Sequence, residues 1–530
     1  MPLRCGAFTF LWIALGLSLS APTQEVSAGR IFMYMNVGSK SHWFTWRPLA
    51  VALANKGHHL TIVSPFPDQF LGNHSHVDFI VTGHDLAHDQ FSKDVFAQAF
   101  SPTQFQRIEA MLVQAQNNTF HNPRFQRLLN NQTHFDVAFI SPDSIDVGFY
   151  AALKLFHAPI IYYHSATRLA IVDKVVGNPI EPAFVPNTMS SFSQKMDFWQ
   201  RLQNTVGVTA ITNIFGYRIL GLLSHHLRDL LHLDQTPDLW SMAHEGNFAF
   251  YNGHPLFDGV RPTNPNTQFI GGIHTRPAKP LTGLLRNWVD ESRQGVVYVS
   301  FGSVLNTSIM PEKTRDLFLR VFAQLNLRVI WKWETGQIAN VSDNVLLCQW
   351  CPQQDLLGHR NVKLFLSHGG LLGTQESLYH NKPMLFLPAF ADQFMNAKRA
   401  QELGYGQTLH WETLTEKDLL SAIERMLKVP KYKANALKYG AIFRDQPIQP
   451  IDKAVYWTEF IMRHKGAPHL QVAHTHLNWF QKNLVDVYVF LVLSFIVIVS
   501  VLVKASSYLY QYLLKPIMCS LSQMNKVKLS

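Results

Sequence analysis

Residues 361–380 read NVKLFLSHGGLLGTQESLYH. An apolar, strand-like run closes near Ser367, a histidine and two glycines follow, and helix formers take over from Thr374, which places the glycines at a strand-to-helix turn. A helix that begins just after a parallel strand turns free backbone N–H groups and the positive end of its dipole toward the crevice where such sheets bind ligands. Glycine there lets a phosphate approach, His368 adds a donor, and Glu376, further along the helix, can accept from both hydroxyls of a ribose. The ligand implied is a nucleoside diphosphate.

Working outward, GVVYVSFGS (295–303), RVIWKWE (328–334), NVLLCQW (344–350), VKLFLS (362–367) and PMLFLP (383–388) form a series of strands separated by helical patterns. That is the pattern of a parallel sheet wrapped on both faces. A βαβ opening occupies the first half: strand RIFMYM (30–35), helix WFTWRPLAVALANKG (43–57) and strand HLTIVSPF (59–66);. FDVAFIS (135–141) and PIIYYHS (159–165) read as further strands, and residues 192–233 as mostly helical. The Pro- and Gly-rich segment 262–283 is the natural link. The prediction is an α/β chain of two facing, Rossmann-like domains, 21–283 and 284–470, with a ligand cleft between them.

Composition fits this plan. A chain of 530 residues suggests two domains of roughly 200 to 250 residues each. Hydrophobic residues at 47% and charged ones at 15% exclude a disordered or collagen-like chain. The net charge of +10 comes from scattered Lys and Arg with no long basic run, so no nucleic acid is expected as partner.

The two ends carry targeting signals. Arg4 precedes an apolar run from Ala7 to Leu17, with Ser18 and Ser20 as small residues for cleavage, so residues 1–20 read as a signal peptide. Val487–Val503 carries no charge over 17 residues and, with Asn483–Asp486, suffices to cross a bilayer, giving a transmembrane helix over 484–503. Lys504, Lys515, Lys526 and Lys528 follow without Asp or Glu, as the positive-inside rule expects of a cytosolic tail, 504–530. The body is then lumenal, where the sequons at Asn73, Asn117, Asn131, Asn306 and Asn340 can be glycosylated. The terminal KVKLS resembles an endoplasmic reticulum retrieval signal, so the expected location is that membrane, as a single-pass type I protein. Cys348 and Cys351 are the only cysteines of the lumenal part. The run that follows does not set Cys348 at a helix N-terminus, so they read as ordinary cysteines rather than a redox pair or a metal site.

WCPQQDLLGH (350–359) and PAFADQ (388–393) each follow a predicted strand at its carboxyl end, so Trp350, His368 and Asp392 should converge on one crevice. An indole there can stack on a flat base. The stretch Trp350–Gln393 resembles the signature of the UDP-glycosyltransferases of animal endomembranes, and the resemblance runs from the signal peptide through SFGS (300–303) to the membrane anchor. It implies the GT-B fold, with a UDP-sugar in the C-terminal domain and a small lipophilic aglycone in the N-terminal one. It further implies Trp350 and Gln353 at the uracil and ribose, Ser303 and His368 with the Gly369 and Gly370 backbone at the diphosphate, Glu376 at the ribose, and Asp392 with Gln393 at the sugar.

The reaction implied is inverting sugar transfer to a hydroxyl, which needs a base as attack proceeds, and histidine suits this near neutral pH. His42, in GSKSHWF after the first strand, matches the family's base, in a loop expected to face the cleft. GSKS (38–41) lacks the order of a phosphate loop. No acidic metal motif is evident, and no cofactor is implied beyond the UDP-sugar co-substrate. The chain departs from the family where a carboxylate usually orients the base: that position is Ser141. Asp143 is the candidate substitute, with a helix N-cap before IDVGFYAALKLF as its alternative role. Asn381 replaces a usual glycine, which a left-handed turn tolerates, and Leu372 stands where relatives carry a polar residue. UDP-glucose is the first expectation for donor and UDP-glucuronate the second. Ser141 and Leu372 motivate the alternative of a catalytically weak carrier or sensor of the same fold. A homo-oligomer is left open by the sequence.

Overall fold

Thirteen strands gather into two all-parallel sheets in the computed structural model, which describes residues 28–83, 103–131, 133–246, 248–472 and 477–527. The expected signal peptide and residues 528–530 of the KVKLS tail lie outside the described residues. The first sheet contains β1 (Arg30–Tyr34), β2 (His59–Ser64), β3 (Val77–Val81), β4 (Val137–Ile140), β5 (Ile160–His164), β6 (Phe248–Tyr251) and β7 (Thr267–Phe269), in the order β3-β2-β1-β4-β5-β6-β7. The second contains β8 (Val296–Ser300), β9 (Arg328–Lys332), β10 (Val345–Cys348), β11 (Val362–Ser367), β12 (Met384–Phe386) and β13 (Gly406–Thr408), in the order β10-β9-β8-β11-β12-β13.

Both orders reverse direction once, between β1 and β4 and between β8 and β11. At such a switch point the loops leaving two neighbouring strands diverge and open a crevice at their carboxyl ends. The continuous apolar runs follow from the wrapping, because both faces of each sheet are covered. In β1, Phe32 and Tyr34 enter one core while Ile31 and Met33 enter the core on the opposite face, as the strand's two-residue period requires.

Three features depart from the sequence reading. The helix after β1 spans Lys40–Asn55, so His42 lies in its first turn rather than in a preceding loop. The segment 262–283 contributes β7 to the first sheet and is then fastened to the second half. Gly272 N donates to Gln375 Oε1 (3.2 Å), Arg276 pairs with Asp355 (2.6 Å) and Gln354 Nε2 donates to the His274 carbonyl (3.0 Å). Finally, the helix Pro450–Arg463, which follows the second sheet in sequence, returns to the first: Ala454, Val455, Ile461 and Met462 lie in a core with Ile31, Met33 and Leu53. Asn381 adopts the left-handed conformation (φ 59°) that its replacement of glycine allows.

Residues 471–530 form a separate unit. Its helix Val485–Leu509 continues in helical form to Val527, with its apolar side chains exposed from Val487 to Leu521. It is long and apolar enough to cross a membrane;. Phe198–Leu231 is also long and apolar enough, but Ile219, Leu220, Leu223 and Leu227 are buried in the first core.

Candidate active site

The switch point of the first sheet carries an imidazole. Ser39 precedes the Lys40–Asn55 helix in an extended conformation and His42 follows within the first turn. Gly38 has φ +146°, and a Cβ there would sit 3.0 Å from His42 Nδ1, so any larger residue would crowd the ring. The His42 carbonyl accepts from Thr45 Oγ1 at 2.8 Å and from Ser165 Oγ at 3.3 Å. Across the switch point, β4 runs into the short 3-10 turn Pro142–Ser144 that carries Asp143.

Burial lowers the His42 pKa. The Asp143 carboxylate opposes that shift and His164 adds to it, so the ring is the neutral, proton-accepting form at neutral pH. No hydrogen bond joins His42 to Asp143 among the described residues. The alternative role for Asp143 as a helix cap falls instead to Asp146, which accepts from Gly148 N (3.2 Å), Tyr34 Oη (2.7 Å) and Asn36 Nδ2 (2.7 Å).

At the switch point of the second sheet, β11 ends at Ser367 and Gly370 caps the helix Leu371–Tyr379. The His368 ring lies between two glycines. A Cβ at Gly302 would sit 2.6 Å from its Cε1, and one at Gly370 2.7 Å from its Nε2. Gly302 and Gly369 adopt φ +84° and +90°, conformations natural only to glycine. Burial and the nearby Lys332 push His368 down to about 4, so it is a neutral hydrogen-bonding ring rather than a cation. Ser303, after β8, presents a buried hydroxyl with no hydrogen-bond partner among the described residues.

Glu376 is buried and is raised to about 7 by that burial. Gln353 holds it: Nε2 donates to Glu376 Oε2 while Oε1 accepts from Tyr298 Oη at 3.1 Å, so Gln353 orients the carboxylate. Asp392 begins the helix Gln393–Leu403 and accepts from Asn396 Nδ2 at 2.9 Å. Gln393 Oε1 accepts from Ala389 N and Phe390 N, which leaves its Nε2 as the part that can donate to a ligand. Trp350 is 58% exposed. Cys348 and Cys351, read from the sequence as ordinary cysteines, are joined in a disulfide on either side of that tryptophan. Among the described residues no three His, Cys, Asp or Glu side chains gather as a metal site.

The two switch points open into one cavity of about 1970 Å³, room for two molecules by the usual scale of ligand pockets. It is bordered by His42, Asp143, Ser303, Trp350, Gln353, His368, Gly370, Glu376, Asp392 and Gln393. Gly369 sets the turn and does not border the cavity. The wall given by the first half is largely apolar, including Ile108, Met111, Leu169, Val172, Ile219 and Leu223. Phe44, His274, Tyr298, Gly302 and Lys332 also border the cavity but escaped the sequence reading. Gly302 stood in the quoted SFGS, and His274 in the GGIH of the segment 262–283; Phe44, Tyr298 and Lys332 carry no signal apart from their elements.

The family model described as "UDP-glucoronosyl and UDP-glucosyl transferase" matches residues 34–518. A UDP-glycosyltransferase of Dactylopius coccus, UGT5, is 32% identical over 471 residues, covering 88% of this chain and 89% of that protein. UDP-glucuronosyltransferase 2B13 of Oryctolagus cuniculus is 29% identical over 550 residues, covering 97% and 98%. Among solved structures, the glycotransferase of kitacinnamycin superposes with a TM-score of 0.55 at 17% identity, covering 81% of this chain and all but 2% of its own, a likeness of fold. By fold and by sequence the chain belongs to the UDP-glucoronosyl and UDP-glucosyl transferase family: it is a UDP-glycosyltransferase of GT-B architecture.

Proposed function

We propose that this enzyme transfers a sugar from a UDP-sugar, UDP-glucose first and UDP-glucuronate second, to a hydroxyl of a small lipophilic acceptor, with inversion at the anomeric carbon. The observation that carries the reading is the single cavity shared by the two switch points, with a neutral imidazole on one wall and a glycine-flanked helix start on the other. The acceptor hydroxyl loses its proton to His42 as its oxygen bonds to the anomeric carbon. The bond from that carbon to the β-phosphate oxygen breaks, and its electron pair leaves on UDP. Attack from the face opposite the leaving group inverts the centre. Asp143 steadies the imidazolium that forms.

On the donor side, the indole of Trp350 takes the uracil and Glu376, oriented by Gln353, takes the ribose hydroxyls. Backbone amides at the start of the Leu371–Tyr379 helix, Ser303 and His368 meet the diphosphate and stabilise charge on the departing UDP. Asp392 and Gln393 hold the sugar. The apolar wall from Ile108 to Leu223 receives the acceptor. The apolar C-terminal helix and the lysines beyond it support a single-pass anchor in the endoplasmic reticulum membrane with the catalytic body lumenal. The test is incubation of the purified full-length protein with labelled UDP-glucose or UDP-glucuronate and a panel of phenols and aliphatic alcohols, with the product anomer read by NMR. Retained UDP binding without transfer to any acceptor would turn the reading to the carrier or sensor.

A further inference from the structure

Two partly exposed aromatic rings meet across the cleft. Phe44, two residues after His42 on the same helix, is 39% exposed, and Trp350, at the edge of the second sheet, is 58% exposed. Their centroids are 6.0 Å apart and their planes are tilted by 57°. Both border the shared cavity. Exposed apolar rings lose water contact when a flat ligand covers them. A tilted pair, unlike a parallel stack, leaves indole surface open for a base to lie on. Phe44 also stands two residues from His42 on a short stretch of backbone fixed by helix geometry, so what presses on the phenyl ring bears on the turn that carries the imidazole.

We propose that Phe44 is a positioning residue for the donor nucleotide: with Trp350 it forms an aromatic corner around the uracil, so that the base is held by both halves of the enzyme and seats the turn bearing His42. This rests on the donor reading above, in which uracil stacks on Trp350. The base lies on the indole, its edge meets the phenyl ring, and the acceptor half is thereby drawn against the occupied donor half. Donor binding and correct placement of the catalytic imidazole become one event.

The test is calorimetric titration of UDP into the full-length protein in detergent micelles, comparing the parent with Phe44→Ala, Phe44→Tyr, Trp350→Ala and the Phe44→Ala/Trp350→Ala double variant. Because Phe44 is substantially exposed, its replacement should leave the melting temperature near the parent's. An aromatic contact corresponds to about two- to tenfold in affinity. Phe44→Ala should weaken UDP by about that factor and lower kcat, Phe44→Tyr should restore both, and the double variant should lose clearly less than the product of the two single losses. Inhibition by inorganic pyrophosphate, which has no base, should stay at the parent's level. Unchanged UDP affinity in Phe44→Ala, losses that multiply in the double variant, or an equal loss of pyrophosphate inhibition would each overturn the proposal. A parent protein that fails to bind UDP would overturn the donor reading itself.

Discussion

At the scale of single residues, two carboxylates illustrate how environment assigns roles. Asp143 and Asp146 lie three positions apart. Asp146 is consumed by Tyr34, Asn36 and its own helix start, which leaves Asp143 at the cavity, where its charge raises the His42 pKa against burial. We predict that His42→Ala abolishes transfer and leaves UDP binding intact. Asp143→Asn removes a stabiliser of the imidazolium, so the already lowered pKa falls further. The acid limb of kcat/KM against pH should move to lower pH while the plateau drops on the order of tenfold. An unmoved acid limb would remove Asp143 from the mechanism.

Glu376 gives the second residue-scale prediction. Its folded-state pKa is raised from 4.5 to about 7. The stability that this shift supplies is present below the unfolded value and lost as pH rises through about 7, so the ionised, buried carboxylate weakens the empty enzyme under alkaline conditions. Glu376→Gln should therefore melt a few degrees above the parent at pH 8 and close to it at pH 4, while binding UDP about tenfold more weakly at pH 8 for want of the charged acceptor. Melting curves at both pH values with UDP titrations check this. The sequence singles out Glu376 as a candidate but not its orientation by Gln353 and Tyr298, because that chain of hydrogen bonds joins residues from three elements that only the sheet order brings together.

At the scale of elements, the strand–glycine–helix unit was legible because its determinants are local. Long apolar runs, a glycine pair whose first member takes positive φ and a following helix former all lie within twenty residues. β3, β6, β7 and β13 were not singled out. Thr267–Phe269 and Gly406–Thr408 are too short to show a period and, unlike the equally short Met384–Phe386 within PMLFLP, lie in no long apolar run, and β7 exists because β6 offers it an edge. Likewise, the pairing of Gly302 with His368 is a contact between two loops of one switch point and leaves no mark in sequence spacing. Gly302→Ala should combine backbone strain of about 1–2 kcal/mol with a collision against the His368 ring, raising the donor KM about tenfold. Gly57 is the control. Its φ is +90° and nothing lies within 4 Å of a Cβ built there, so Gly57→Ala should show comparable strain in its melting curve and an unchanged donor KM. If both variants shift KM alike, strain alone is the cause.

At the scale of the whole molecule, the path of the chain and the boundaries of its cores differ, and the difference is testable. Sequence order assigns 450–470 to the second half, yet the helix Pro450–Arg463 seals the first. Met462 meets the backbone at Gly29, where any side chain would collide with it, Glu459 pairs with Lys56 and approaches the buried His58, and Lys453 Nζ donates to the Phe269 carbonyl at 3.2 Å. Amphipathic periodicity shows that this helix has an apolar face but cannot say which sheet receives it. A chain ended after residue 470 removes the apolar helix and leaves both cores covered, so it should be recovered without detergent, melt as the full chain does and transfer sugar to a water-soluble phenol. A chain ended after residue 448 differs by only 22 residues but uncovers Ile31, Leu53 and their neighbours in the first core. Stripping several buried apolar side chains of their cover costs several kcal/mol, a large share of a domain's net stability, so this shorter chain should aggregate or bind a hydrophobic dye and lose transfer. Full activity in the shorter chain would mean that the returning helix is dispensable to the half that holds His42.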